Sequence, residues 1–352
     1  MSTIATRALD ALTTGSRLIA ARLRGRAVPF HVTLYVTTRC NLRCVYCSSP
    51  DQHEKELTAA DWRGVLDQLR TLGTRRVLFF GGEPLVRADL GEIVAHARRL
   101  GLRCALTSNG TLVPQRPDVI RQLQTLTISL DGDAVAHDAN RGRGSHADAL
   151  RALAAARKWG VPVKVNAVLN ANNGVAFEWL SEWSKKERIP LTLNLMRSER
   201  NGLWKDAARH RLEDDRLREL IWKIVDAKTS NPWLVFSRRT YEVARQWTDF
   251  TRDRLTEAET GSRFRGPRCS AGRFHCVIYA DGSLFPCPLT LRQVAALNVK
   301  TAGVAKALEQ ARHHGCATCF SPCMLETNGL FALDPRVILP LARAHLSRSA
   351  VG

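Results

Sequence analysis

Apolar and polar residues follow one another in two rhythms along most of this chain. From Phe30 onward a short apolar run, a loop and a longer helical pattern repeat about six times. The short runs at 32–36, 77–80, 103–106, 127–130, 163–169 and 191–195 read as buried strands. Between them, 58–72, 89–100, 117–124, 146–159 and 176–188 carry the three-to-four spacing of amphipathic helices. Strand and helix alternating through short loops predict parallel βαβ units, with active groups at the C-terminal ends of the strands. Six units are too few to close an eight-stranded barrel. The expected fold is therefore α/β: a partial (β/α)6 TIM-like barrel with a small C-terminal cysteine-rich extension.

The flanks behave differently. Residues 1–28 read as a basic amphipathic helix, with Ile4, Ala8, Leu12, Gly15, Ile19 and Leu23 on one stripe and Arg7, Arg17 and Arg24 off it. After the core at 29–200, residues 211–228 look helical within a polar, Arg-rich linker at 201–265. Cysteines then crowd into 266–326, and an apolar, basic tail at 327–352 is interrupted by Pro335 and Pro340.

Composition narrows the class. The chain has 352 residues, 45% hydrophobic and 24% charged, which is enough for a real core and excludes a disordered or collagen-like chain. Arg22 and Arg24 interrupt any signal-peptide core, and no run reaches the roughly 18 apolar residues of a membrane span. A cytoplasmic protein is expected, with the inner face of the membrane as a second location. The net charge of +19 comes from 52 Lys and Arg, ten of them Lys, against 33 Asp and Glu. It points to an anionic partner or to a general preference for Arg. The Arg residues are dispersed and no RNA-binding motif is visible, so nucleic acid is disfavoured.

Ten cysteines are too sparse for a disulfide scaffold, and clustered cysteines in a reducing compartment point to metal. Cys40, Cys44 and Cys47 follow the first strand in eight residues. Three thiolates can hold a [4Fe–4S] cluster with one iron left open, whereas zinc in a knuckle needs a fourth ligand from elsewhere.

With Tyr46 before its last cysteine, this motif resembles the signature of the radical S-adenosylmethionine (SAM) superfamily. The resemblance implies that the open iron chelates SAM, whose reductive cleavage gives a 5′-deoxyadenosyl radical. Gly81-Gly82-Glu83-Pro84 after the second strand matches the family motif that binds the SAM amino group. Ser108 and Asn109 after the third strand, and Ser129 and Asp131 at the end of the fourth, look like the polar strand ends of its SAM pocket. Arg141 lies where relatives set an Arg against the SAM carboxylate, with Arg143 as the alternative, and Asn166 is the candidate for the ribose. The resemblance covers about residues 30–200 and implies an electron donor of the flavodoxin or ferredoxin type.

A second group, Cys269, Cys276, Cys287, Cys316, Cys319 and Cys323, resembles the auxiliary-cluster extension called SPASM, or its shorter relative called twitch. The segment 278–287 reads as a hairpin turning at Asp281-Gly282 and ending on Cys287. The cysteine run is shorter than in a full SPASM extension, and six cysteines cannot fully ligate two clusters. One auxiliary [4Fe–4S] cluster is expected, on Cys269 and Cys287 with others from Cys316, Cys319 and Cys323. Cys276 is a ligand or a spare, and a zinc ribbon is the rival. Cys104 reads as a core residue.

The expected substrate is a small molecule, or a lipid or isoprenoid reached from a membrane on which the basic N-terminal helix lies. The alternative reading is a helix packed on the open side of the barrel. Peptide maturation stands as the other enzymatic reading, weakened by the absence of a sheet-containing module before residue 28. An RNA-binding or RNA-modifying protein and a non-catalytic iron–sulfur electron carrier are the readings from other classes.

Overall fold

The computed structural model describes residues 4–196, 204–260 and 264–349, with the side chains of 4–12 and 344–349 outside the description. All six expected strands form: β1 (His31–Thr37), β2 (Arg76–Gly81), β3 (Arg103–Ser108), β4 (Thr125–Ser129), β5 (Val163–Leu169) and β6 (Leu191–Leu195). Each pairs in parallel with the next. The helices Ala59–Thr71, Leu90–Arg99, Ser145–Lys158 and Phe177–Glu187 lie between them in sequence.

Strand alternation separates two environments. Val32, Leu34, Val77, Phe79, Leu106 and Ile128 are fully buried in the main apolar core. Their neighbours Thr33, Tyr35, Leu78, Phe80, Thr127 and Ser129 line an internal cavity of about 510 Å³. The first set drives folding by burial of apolar surface, and the second shapes the site. Cys104 is on the first set's side, fully buried, as a core residue should be.

The cysteine-rich segment does not stand apart from the barrel. β7 (Arg254–Thr256) pairs with β11 (Cys316–Cys319) in a small separate sheet. β8 (His275–Ile278) runs parallel to β1, and β9 (Ser283–Phe285) and β10 (Leu297–Asn298) follow antiparallel. The main sheet thus has nine strands in the order β10-β9-β8-β1-β2-β3-β4-β5-β6. The hairpin expected at Asp281-Gly282 is present. Gly282 has φ +94°, and a Cβ there would lie 2.9 Å from the Asn298 side chain, so the turn requires glycine.

Among the helices that escaped the periodicity, two bear on the site and its surroundings. Ala134–Arg141 begins at Asp133, whose side chain accepts from the Ala136 N–H at 2.9 Å. Arg238–Arg245 lies in the segment expected to be a polar linker, with Tyr241, Val243 and Ala244 buried beneath its arginines. Both are eight residues long, too short for a clear helical period.

The N-terminal helix, Ile4–Leu23, forms, but the expected stripe is not its buried face. Leu18 and Ala21 pack with Phe30 and Phe274, while Ile19 and Leu23 are exposed. Ile4, Ala8 and Leu12 lie outside the described side chains. Arg22 donates to the Phe331 carbonyl at 2.6 Å. The alternative of a packed helix therefore accounts for the described part, and nothing in it supports peripheral membrane binding. No described helix is long and apolar enough to cross a membrane. The C-terminal helices Pro322–Phe331 and Pro335–Ser349 lie beside the cavity, which Met324, Glu326, Leu330 and Leu341 help to line.

Gly81 and Gly82 pack against the chain that leads from β1 into Cys40. A Cβ on Gly81 would collide with the Thr37 carbonyl, and one on Gly82 with the carbonyls of Thr38 and Arg39. The close approach is fixed by bonds from Gly82 N–H to Thr37 and from Glu83 N–H to Arg39, each 2.9 Å. Gly82→Ala is expected to destabilise the protein by about 1–3 kcal/mol, the usual range for overpacking. Urea unfolding checks this, and a change within error would mean the two loops part at no cost.

Candidate active site

The loop after β1 places Cys40, Cys44 and Cys47 on the wall of the large cavity. It is held at both ends of the motif. Val45 N–H donates to the Asn140 carbonyl at 2.9 Å, and Lys205 N–H to the Tyr46 carbonyl at 2.8 Å. Asn109 Nδ2 donates to Asn41 Oδ1 at 2.9 Å and lies 3.9 Å from Cys40 Sγ. Burial pushes the Cys40 thiol up to about 12, reinforced by Glu83, Cys44 and Cys47; burial also raises Cys44, and Arg141 opposes it. Soft sulfur donors, with Cys40 and Cys44 resisting ionisation on their own, suit a group whose positive charge draws off their protons. The donor set therefore fits a three-thiolate iron–sulfur cluster; among the described residues the three sulfurs share the cavity wall and do not converge on a single-ion site.

Beside them lies a buried ion pair. Arg141 donates from Nε and Nη2 to the Asp131 carboxylate at 2.7 and 3.3 Å. Asp131 also accepts from the Tyr46 hydroxyl at 2.9 Å and the Val168 N–H at 3.0 Å. Burial works against the Asp131 charge, yet the Arg141 charge and these donors hold its pKa below the ordinary aspartate value. The Arg141 guanidinium lies 5.9 Å from the centre of the Tyr46 ring. It borders the cavity and keeps N–H groups beyond the two spent on Asp131, whereas Arg143 is exposed.

The sequence candidates divide into those that face the cavity and those that stand behind them. Tyr46, Gly81, Gly82, Ser108, Asn109, Ser129, Arg141 and Asn166 border it. Glu83, Pro84 and Asp131 are buried and do not. Glu83 accepts from Ser108 Oγ at 3.0 Å and from the N–H groups of Asn109 and Leu85 at 2.7 and 3.1 Å. Burial raises its pKa to about 7 while these donors pull it down. Glu83, or a carbonyl near it, is the expected acceptor for a ligand ammonium; with these bonds it also fastens the turn after β2 to the end of β3. Asn166 accepts from Thr192 Oγ1 at 2.9 Å and Asn194 Nδ2 at 2.7 Å.

Several site residues had no signal in the sequence analysis. His137 Nδ1 accepts from the Asp131 N–H at 3.0 Å, and burial lowers its pKa to about 4, so the ring is neutral. Asn173 Nδ2 donates to the carbonyls of Asp131 and Val168 at 2.8 and 3.0 Å. The Asn-rich loop 170–173 was the available sign, since Asn favours turns that re-bond their own backbone.

The late cysteines split between two places. Cys269, Cys287, Cys316 and Cys319 border one small pocket, together with His275, His314 and Arg254. Cys323 and Cys276 border the large cavity instead, Cys276 packing against the main core level with Val32 of β1. β11 delivers Cys316 and Cys319, the end of β9 delivers Cys287, and Cys269 is tied to β11 by its N–H on the Ala317 carbonyl at 2.7 Å. Burial pushes Cys269 up to about 12, with Cys287 adding to it. Arg254 lies 3.5 Å from Cys316 Sγ. Four sulfurs and no carboxylate make a donor set that fits an iron–sulfur cluster or zinc. Among the described residues the sulfurs share a space and do not converge on a single-ion site.

Residues 34–172 match the family model of the radical SAM superfamily. The matched stretch is less than half of the chain. Over 152 residues the chain is 40% identical to a PqqA peptide cyclase of Streptomyces rochei, a match that takes in 41% of this chain and 42% of that protein. Over 164 residues it is 32% identical to an Fe-coproporphyrin III synthase of Methanosarcina barkeri, covering 44% and 41%. The chain thus spans less than half the length of these curated relatives. The fold is also that of Streptococcus suis SuiB solved with S-adenosylmethionine, with TM-score 0.62 at 18% identity over 86% of this chain and 70% of that one. Native anSMEcpe with bound AdoMet gives TM-score 0.62 at 18% identity over 82% and 83%.

Proposed function

We propose that this chain is a radical SAM enzyme that modifies a carbon of a peptide. The observation that carries the enzymatic reading is the meeting on one cavity of three cysteine thiols and Arg141, which Asp131 holds from behind. Bound there, a [4Fe–4S] cluster and SAM would supply a 5′-deoxyadenosyl radical able to abstract hydrogen from an unactivated carbon. The chain's own residues do the rest. Cys40, Cys44 and Cys47 hold three irons, Arg141 grips the SAM carboxylate with its remaining donors, and Asp131 keeps the guanidinium aimed. The backbone of Gly81 and Gly82 meets the amino group, and Ser108, Ser129 and Asn166 offer polar contacts to the rest of the cofactor.

The peptide reading replaces a small molecule or lipid as the leading one. A curated relative is named a PqqA peptide cyclase, and SuiB, whose fold this chain shares, has been solved with the precursor peptide SuiA. Reductive cleavage of SAM by the reconstituted protein tests the enzyme. Formation of 5′-deoxyadenosine is expected, and its absence with clusters intact would reduce the chain to an electron carrier.

For the second site, Cys269, Cys287, Cys316 and Cys319 are assigned to one auxiliary [4Fe–4S] cluster, with Cys276 and Cys323 as spares. The full protein is then expected to hold about eight irons, two four-iron clusters. Cys287→Ala should lower this to about four, keep SAM cleavage at least in part and abolish product formation. Zinc in place of the second four irons would establish the ribbon instead.

A further inference from the structure

At the N-terminal ends of the strands, opposite the cysteine loop, the cavity has a floor of positive groups. His275, His31 and Arg76 stand level on β8, β1 and β2, and Lys164 projects from β5. All four border the cavity. No hydrogen bond or ion pair to the side chains of His31, Arg76 or Lys164 is found among the described residues, whereas His275 Nε2 lies 3.3 Å from Asn328 Oδ1.

Glu326 is the only acidic side chain bordering the cavity among the described residues, and it is engaged elsewhere. One of its oxygens takes the Ser237 N–H and hydroxyl at 2.9 and 2.7 Å and the Thr240 hydroxyl at 2.5 Å. Cys276 and Cys323 also border the cavity as thiols, and a charge on Cys323 would favour Lys164. The shifts agree with uncompensated charge. Burial, then Arg76, lowers Lys164 to about 8; burial lowers Arg76; and burial with Arg76, His275 and Lys164 lowers His31.

Gathering like charges inside a protein with no carboxylate bonded to them costs stability, and such sites are retained where a ligand supplies the missing charge. We propose that Arg76 and Lys164 seat a carboxylate of the substrate on the floor of the cavity. This rests on the peptide reading and deepens it: the substrate presents an acidic side chain or a terminal carboxylate at the end of the cavity away from the cysteines. β2 spans about 17 Å from Arg76 to Gly81 at about 3.3 Å per residue, so the anchored group is held apart from the reacting end. Arg76 provides a planar fork for two carboxylate oxygens and Lys164 a point charge.

The test uses the full-length, cluster-reconstituted protein saturated with SAM. Three blocked tripeptides are titrated calorimetrically: acetyl-Ala-Glu-Ala-amide, its Gln counterpart, and acetyl-Ala-Ala-Ala with a free carboxylate. At least one carboxylate peptide is expected to bind about tenfold or more tighter than the Gln peptide, the effect of a charged hydrogen bond, and which one does so identifies its source. Arg76→Met and Lys164→Met should erase that preference and raise the melting temperature of the ligand-free protein, whereas removing a purely structural group would lower it. Binding of both carboxylate peptides no tighter than the Gln peptide, no binding of any, or an undiminished preference in both variants overturns the proposal. SAM cleavage by the wild-type protein is measured in the same preparation. Its absence would defeat the enzymatic reading without touching the binding result.

Discussion

Cys44→Ala is expected to take SAM cleavage below about one-hundredth of the wild-type rate and to remove about four of eight irons while the auxiliary site stays filled. Substitutions just outside a metal's ligand shell cost roughly 10–100-fold, and loss of one of only three protein ligands goes further. The fold should survive. Cys44 is half-buried on the edge of a small cluster formed with Tyr46, Met196 and Ala207, so trimming it leaves the main core intact. Circular dichroism and melting temperature should therefore change little as iron content and 5′-deoxyadenosine formation collapse. Full iron retention together with unchanged cleavage would remove the cysteine loop from the proposed chemistry. The contrast with Cys287→Ala sharpens the result, since that change is expected to spare cleavage and abolish product. Equal loss in both assays for both variants would reduce the second site to a structural one.

The barrel was legible because its strands are short apolar runs separated by amphipathic helices, and the boundaries of β5 and β6 are those the pattern gave. The motif residues were legible because strand ends in such folds carry the chemistry. What sequence could not convey was facing. Glu83 and Asp131 sit in motifs beside cavity residues, yet both point into the protein and bind neighbouring donors, a matter of local turn geometry. Periodicity also misjudged the N-terminal helix, because the protein covers Leu18 and Ala21, one position from the expected stripe at Ile19 and two from Leu23. Among the late cysteines, spacing grouped Cys323 with Cys316 and Cys319, but β11 ends at Cys319 and Cys323 begins the next helix, which turns toward the barrel. Arg76 and Lys164 gave no signal at all. They lie 88 residues apart in the sequence and become neighbours only when β1 to β5 curve round a common interior.

Asp131 carries the second large effect, because its carboxylate is the shared acceptor of Arg141, Tyr46 and Val168. Asp131→Ala would leave a buried guanidinium, a buried phenol and a backbone N–H without that partner, and is expected to cost about 3–5 kcal/mol of stability. The linkage has a definite sign. A carboxylate held below its ordinary value contributes stability that is fully present above that value and lost as pH falls through the lowered one. Wild-type and variant stabilities should therefore converge only in strong acid. Positioning is separable from stability with Arg141→Lys, which keeps a positive charge beside Asp131 but loses the planar fork. That variant is expected to retain the iron of the first cluster and most of the melting temperature, and to bind SAM about tenfold or more weakly, the value of a charge-assisted hydrogen bond. Calorimetric SAM binding decides the matter: wild-type affinity in Arg141→Lys would assign the pair to holding the β4 end in place, and the grip on the SAM carboxylate would have to come from elsewhere in the cavity.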